Sequence, residues 1–383
     1  VIVLSPGVSM SLEPIQEAKN RGRMIISEIE LAYNFIDAPS IAITGTNGKT
    51  TTTTLIGEIL RRNHKEVFVG GNIGNPLINC VIDGRKTDYV VAEISSFQLE
   101  GIMNFRPKIV VFLNMSPDHL DRYSSYEDYV EAKKRIFVNQ RDDDVAVLNA
   151  DDPLVSNMAA PLGRTKKVYF SRKKKIENGV YLDGNHVISG IDQDVYCYET
   201  EGIKIKGCHN IENTMAAIAA TETCMCSKEK IKEAVYGFSG LEHRMEFVEE
   251  ISGVEYYNDS KATNVAAVEK SLESFDRPII LIAGGKDKGT GYETLKDLVM
   301  NKVKKLILIG EAKDIIQKSL GCLTTTTRAD TLQDAVKNAH SESGLGDVVL
   351  FAPGCSSFDM FNNYEERGRA FKTAVRELKS MKD

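Results

Sequence analysis

Short apolar runs recur along the chain at residues 41–44, 67–69, 89–93, 109–114 and 145–149, each ending on or just before a glycine, asparagine or glutamate. Runs of this length without strict alternation read as strands buried on both faces, and the helix-period segments between several of them predict a parallel sheet. Residues 176–206 break the rhythm with short alternating runs, and "YLDGNHVIS" predicts a small antiparallel hairpin patch. Helical spacing resumes at about Ile211 and Lys228. After "FSGLEHRMEF" a further strand–helix series is expected, with strands at 254–258, 279–283, 306–309 and 348–351, and the boundary falls near Gly240.

The opening follows the same grammar. "VIVL" is an apolar strand closed by Ser5-Pro6-Gly7, with helical residues 12–21, a strand at 24–26 and a helix at 28–35. This reads as the tail of an α/β unit, because roughly 35 residues fall short of the ~100 that a doubly wound domain needs. The chain is therefore expected to be a fragment whose upstream part is missing.

Composition narrows the function classes. The 383 residues suffice for two or three domains of ~100–200 residues. With 48 basic against 54 acidic residues the net charge is −6, which gives no electrostatic footprint for nucleic acid. The run Arg172-Lys173-Lys174-Lys175 is short enough to be a solvated loop. Seven cysteines lack paired metal spacing, and Cys224 and Cys226 fall in a helical pattern where thiols act as small apolar residues. No long apolar span suggests membrane insertion, so a cytoplasmic protein, expected as a monomer, is the default.

The chemistry starts at "IAITGTNGKTTTTTLIGEIL", a strand, a glycine loop and a helix. Unpaired N–H groups and the dipole at a helix start favour phosphate oxygens. Gly45 and Gly48 let the backbone approach them, Lys49 can reach the outer phosphates, and Thr50 can ligate magnesium. The general phosphate loop, however, has four residues between its glycines; here there are only Thr46 and Asn47. The β-branched run Thr50 to Thr54 is also unusual for a helix. Ligands of open α/β sheets bind beyond the carboxyl ends of strands, and polar clusters stand there. Glu93 with Ser95, Ser96 and Gln98 ends one strand, and Glu93 suits the magnesium of the phosphate loop. Asn114, Asp118, His119, Asp121 and Arg122 end the next. After Gly240, "NDSKATN", "AGGKDKG" and "APGCSSFDMFNNYEERG" each follow a strand, and their lysines, hydroxyls and glycines suit a small anionic substrate.

With these residues in place, the chain resembles the Mur ligases of peptidoglycan synthesis. "GTNGKT", "GGNIGNP", "EISSFQLE", "NMSPDHLDRY", "YVEAKKRIF", "NADD", "HNIENTMAA", "LEHRMEF", "NDSKATN", "GGKDKG" and "APGCSSFDMF" follow the family's order over nearly the whole chain. The two-residue gap is the family's own form of the phosphate loop, and "NDSKATN" is similar to the D-glutamate-adding branch. The resemblance implies an α/β fold in three parts. These are a remnant of an N-terminal Rossmann-like domain (1–38), a central P-loop ATPase-type domain with a mostly parallel sheet (39–240), and a C-terminal Rossmann-like α/β domain (241–383).

It also implies ATP-dependent amide bond formation in cell wall synthesis, joining D-glutamate to UDP-N-acetylmuramoyl-L-alanine through an acyl phosphate. By resemblance Gly45, Thr46, Asn47, Gly48, Lys49, Thr50 and Thr51 hold the ATP phosphates. Asn210 and Asn213 sit near the adenine, and Arg244 and Asp259 near the phosphates and ribose. Ser5, Gly7, Asn72, Ser95, Gln98 and His119 face the muramoyl-alanine substrate, while Lys261, Thr263, Lys288, Ser357 and Phe358 line the D-glutamate pocket. Magnesium falls to Thr50, Glu93, His119 and a carbamylated Lys133, with Lys49, His119 and Lys133 the catalytic set. Carbamylation requires a lysine far below its ordinary pKa of about 10.4; on residues alone, Lys133 also reads as part of a basic helix face. Two other readings are a folylpolyglutamate-type or other Mur-type amino acid ligase, and a nucleotide-binding module without ligation. The three strand-end clusters after Gly240 count against the last.

Overall fold

A computed structural model describes residues 1–5, 8–118, 122–158, 162–191, 195–205, 207–287, 289 and 291–380. The chain divides into two compact units, Val1–Lys204 with His209–Phe238, and Ile205–Cys208 with Ser239–Asp383.

In the first unit, β1 (Ile2–Leu4) and β2 (Ile25–Ser27) form a separate two-stranded parallel sheet. The main sheet has nine strands. These are β3 (Ser40–Thr44), β4 (Val67–Gly71), β5 (Tyr89–Glu93), β6 (Ile109–Phe112), β7 (Val145–Asn149), β8 (Lys166–Ser171), β9 (Gly179–Asp183), β10 (His186–Ser189) and β11 (Tyr196–Glu199), in the order 11-10-9-8-7-6-3-5-4. All pairings from β4 to β9 are parallel, and β10 alone is reversed, antiparallel to both β9 and β11. The hairpin expected at "YLDGNHVIS" is present, but as a continuation of the main sheet through β8. The whole of β3 is buried, with its apolar residues covered on both faces, as a central parallel strand requires. The helix Lys49–Arg62 packs on the sheet through Leu55, Ile56, Ile59 and Leu60. A second apolar layer holds Ile29, Val90, Phe105, Phe112, Tyr129 and Ile136.

The second unit is a six-stranded sheet, β12 (Glu246–Ile251), β13 (Val254–Asn258), β14 (Ile279–Gly284), β15 (Val303–Ile309), β16 (Thr325–Arg328) and β17 (Val348–Phe351), in the order 12-13-17-14-15-16. Only the β12–β13 pair is antiparallel. Apolar clusters lie on both faces, one around Leu281, Leu306 and Leu350, the other around Ile282, Ile307 and Phe371. The neighbours β17 and β14 lie at the middle of the sheet, so the loops after them open on one rim together with the loop after β13.

Candidate functional site

In the first unit the phosphate loop is held in shape from both sides. Gly45 has φ of 145° and Gly48 a φ of 82°, conformations that side chains resist. A Cβ on Gly48 would lie 2.1 Å from Asn213 Oδ1, so the loop and the helix Cys208–Glu222 meet where only glycine fits. From the other side, the end of β6 is tied to the loop. Asn47 N–H donates to Asn114 Oδ1 at 2.8 Å, Asn114 Nδ2 donates to Asn47 O at 3.1 Å, and Thr46 N–H donates to Asn114 O at 3.0 Å. The Thr46 hydroxyl donates to Ser116 O at 3.1 Å and lies 3.3 Å from Tyr129 Oη. Asn213 Nδ2 donates to Asn210 Oδ1 at 3.1 Å, so the two asparagines form one buried pair behind the loop.

Three oxygen and amide groups converge beside it. Thr50 Oγ1 donates to Glu93 Oε2 at 2.8 Å and Asn72 Nδ2 donates to Glu93 Oε1 at 2.9 Å, with Glu93 only 3% exposed. A hydroxyl and a buried carboxylate at a strand end form a hard-oxygen donor set that fits magnesium. Lys49 Nζ curls back to donate to Gly45 O (3.0 Å) and Thr46 O (2.7 Å). Lys133, on the helix Tyr126–Lys134, is 2% exposed and donates to Gly45 O at 2.9 Å, with Thr44 Oγ1 at 3.4 Å. Burial first, and then the positive charge of Lys49, push the Lys133 amine down to about 7, against the pull of Asp118 and Glu93. Lys134 turns to solvent and pairs with Glu131 at 2.6 Å. Thr51 is buried in the first turn of its helix.

The expected sugar-nucleotide residues are placed unevenly. Ser95 caps the short helix Ser96–Glu100 and Gln98 closes a reciprocal capping box with it, so their polar groups serve each other. Ser5 and Gln98 line one small cavity together with Val8, Ser27, Phe97 and Glu100. Above Phe97, the Arg122 guanidinium stacks at 3.8 Å and pairs with Glu100. Gly7, His119 and Lys288 lie outside the described residues.

The second unit brings its own rim loops together. Asp259 is 5% exposed and takes its bonds from inside, from Met245 N–H at 3.2 Å and the Ser271 hydroxyl; burial raises its pKa. Its carboxylate thus fastens the segment that carries Arg244. The Lys261 ammonium lies 5.4 Å over the Tyr364 ring. Thr263 follows in the same turn, its N–H donating to Lys261 O at 2.8 Å. Ser357 is buried, whereas Phe358 is 70% exposed and does not join it.

Sequence reading missed Arg367. It is 1% exposed, and its guanidinium donates to Ser260 Oγ and O and to the carbonyls of Cys355 and Ser356 at 2.8–3.1 Å. An arginine within "NNYEERGRAF" reads as a solvated helix face, so no signal in the sequence marks it. Tyr364 was missed for the same reason: an aromatic at helix spacing reads as core.

Residues 43–221 match the Mur ligase middle domain, and residues 243–355 match the Mur ligase, glutamate ligase domain. UDP-N-acetylmuramoylalanine--D-glutamate ligase of Geotalea daltonii is 55% identical over 378 residues, 99% of this chain and 83% of the relative. The protein of the same name from Geobacter sp. strain M21 is 55% identical over 377 residues, again 83% of its own length. Among solved structures, MurF ligase from Thermotoga maritima in complex with ADP aligns over 95% of this chain and 91% of its own, with a TM-score of 0.66 at 16% identity, a likeness of fold. On this identity and coverage, the chain belongs to the Mur ligase family and groups within it with the UDP-N-acetylmuramoylalanine--D-glutamate ligases.

Proposed function

We propose that this protein joins D-glutamate to UDP-N-acetylmuramoyl-L-alanine, using ATP and magnesium, in peptidoglycan synthesis. The observation that carries the reading is the convergence of Lys49, the Thr50–Glu93 pair and the buried Lys133 on one phosphate loop. The name shared by relatives at 55% identity supports the choice of acceptor and amino acid.

A carboxylate is a poor acyl donor. Its oxygen takes the γ-phosphoryl of ATP, with ADP leaving; the amine of D-glutamate then attacks the acyl carbon, and phosphate departs as the amide forms and a proton is lost. Phosphoryl transfer asks mainly for positioning and charge neutralisation. The loop's N–H groups and Lys49 meet the phosphates, and Lys49 must leave the Gly45 and Thr46 carbonyls to do so. Thr50 and Glu93 would hold magnesium, which supplies positive charge at the transferring phosphoryl. With a pKa near 7, Lys133 is neutral enough to add CO₂, giving a carbamate with two oxygen ligands in place of a cation. Asn210 and Asn213 are assigned to the adenine by resemblance. In the second unit, Lys261, Thr263 and Ser357 offer the charge and hydroxyl groups for the D-glutamate carboxylates, with Lys288 assigned there by resemblance; His119 is assigned by resemblance to magnesium and the muramoyl-alanine substrate.

Among the described residues no helix is long and apolar enough to cross a membrane, and a cytoplasmic monomer is the simplest form of such an enzyme. The test is phosphate release with one substrate omitted at a time. Release only when ATP, UDP-N-acetylmuramoyl-L-alanine and D-glutamate are all present is expected. Release that ignores D-glutamate would leave a nucleotide-binding module, and release with a folate acceptor and glutamate would favour the other ligase class.

A further inference from the structure

Two rim loops of the second unit, one after β14 and one after β17, are joined by a buried tyrosine that the reading above does not use. Their main chains are already zipped. Gly284 N–H donates to Pro353 O at 2.8 Å, and Lys286 and Ser356 exchange two backbone hydrogen bonds at 3.0 and 3.1 Å. Beyond that bridge the first loop turns away, and Tyr292, 2% exposed, reaches back to it. Its hydroxyl donates to Asp287 Oδ1 at 2.9 Å and lies 3.1 Å from the fully buried Cys355 Sγ. The other carboxylate oxygen, Asp287 Oδ2, accepts from Gly289 N–H at 3.0 Å. Cys355 in turn offers its carbonyl to Arg367, which also binds Ser260 in the loop after β13.

We propose that Tyr292, through Asp287 and Cys355, is a positioning residue that sets Asp287 and Gly289 against the 353–357 loop and so tunes affinity for the amino-acid substrate. The inference rests on the proposed function, since the residue between Asp287 and Gly289 is the lysine assigned to D-glutamate. The chemistry favours a positional role over a purely space-filling one. A phenylalanine would fill the same volume, whereas the hydroxyl adds a charge-assisted bond to a carboxylate, and such bonds fix a loop in one geometry. An amino acid with two carboxylates pairs with cations whose placement must hold within a fraction of an ångström, and a loosened loop loses binding before it loses chemistry.

The test is Tyr292→Phe, which removes one oxygen and keeps the ring. The expected result is a KM for D-glutamate raised about tenfold, with kcat at saturating D-glutamate within twofold and the KM for ATP unchanged. Amide hydrogen exchange over residues 284–292 should quicken in the same variant, a readout that needs no activity. An unchanged KM for D-glutamate overturns the proposal. So does a parallel rise in both KM values with a fall in Tm, which marks a merely structural hydroxyl. Asp287→Asn guards against a folding failure, since it keeps an acceptor for Gly289 N–H while weakening the tyrosine bond, and it should raise the same KM alone. If the unaltered protein shows no D-glutamate-dependent phosphate release, the proposed function falls. The exchange measurement then decides the latch by itself, and unchanged exchange over 284–292 overturns it.

Discussion

Lys133 and Lys134 are neighbours on one helix, and what separates them is which way each points. Lys134 reaches solvent and Glu131, whereas Lys133 is buried against the phosphate loop with an amine near 7. At pH 7.5 an ordinary lysine is neutral in only about one molecule in a thousand, while Lys133 is mostly neutral and able to take up CO₂. Lys133→Ala should therefore be almost inactive and partly rescued by acetate, which restores oxygen ligands; Lys134→Ala should change turnover less than twofold. Full activity of Lys133→Ala, or full activity after rigorous CO₂ removal, would exclude the carbamate. Lys49→Ala removes the charge aimed at the transferring phosphoryl. It should lower ATP turnover by at least about a hundredfold, since such a contact is worth several kcal/mol and about 1.4 kcal/mol is tenfold; phosphate release near that of the unaltered protein would remove Lys49 from the reaction. The lysine of a glycine loop was legible in sequence because spacing alone puts it at a helix start. Arg367, Tyr292 and Tyr364 were not, because a buried partner contributed by a distant segment leaves no local pattern.

At the scale of elements, the helix Lys49–Arg62 forms despite five successive threonines, and it carries a cost for doing so. Thr54 Oγ1 returns to Thr50 O at 2.9 Å, but the fully buried hydroxyls of Thr52 and Thr53 make no hydrogen bond among the described residues. A buried unpaired hydroxyl costs about 1–3 kcal/mol. Thr52→Val and Thr53→Val, which keep the branched shape, should each raise the free energy of unfolding by about 1 kcal/mol; a loss of similar size would show that the hydroxyls are satisfied. Gly48→Ala should do the reverse and weaken ATP binding, because the added methyl meets Asn213 Oδ1. Most strands were readable as apolar runs, but β8, β11, β12 and β16 escaped. The strand β16 is Thr-Thr-Thr-Arg at a sheet edge, where pairing with β15 alone suffices and no buried face imprints an apolar pattern. Similarly, β12 is Glu-Phe-Val-Glu-Glu-Ile, and its bulge between Phe247 and Glu249 shifts the alternation.

At the scale of the molecule, the sequence rhythm exposed the two long α/β series because each sheet needs its own run of buried strands. The resulting units have separate apolar cores. Unfolding should accordingly depart from a single two-state transition, with the calorimetric enthalpy exceeding the van't Hoff value. One of the two transitions should also be acid-sensitive, through His243 in the second unit. That imidazole is 2% exposed, accepts from Asn258 Nδ2 at 2.9 Å, and meets the edge of Tyr364. Burial holds its pKa below 6.5; Lys372 and Arg369 push the same way, while Glu246 and Glu242 pull upward. The unfolded chain thus binds a proton at higher pH than the folded one, and stability must fall as pH drops from 6.5 through the folded value. Glu242, held low by Lys372, acts in the same direction but only below about 4.5, so the two windows are separable. Between pH 7.5 and 5.5 the transition of the second unit should shift down, and the His243 ring resonances should titrate below 6.5. Titration of His243 at or above 6.5 would mean that the two glutamates outweigh burial, and the stability of this unit would then hold or rise over the same interval.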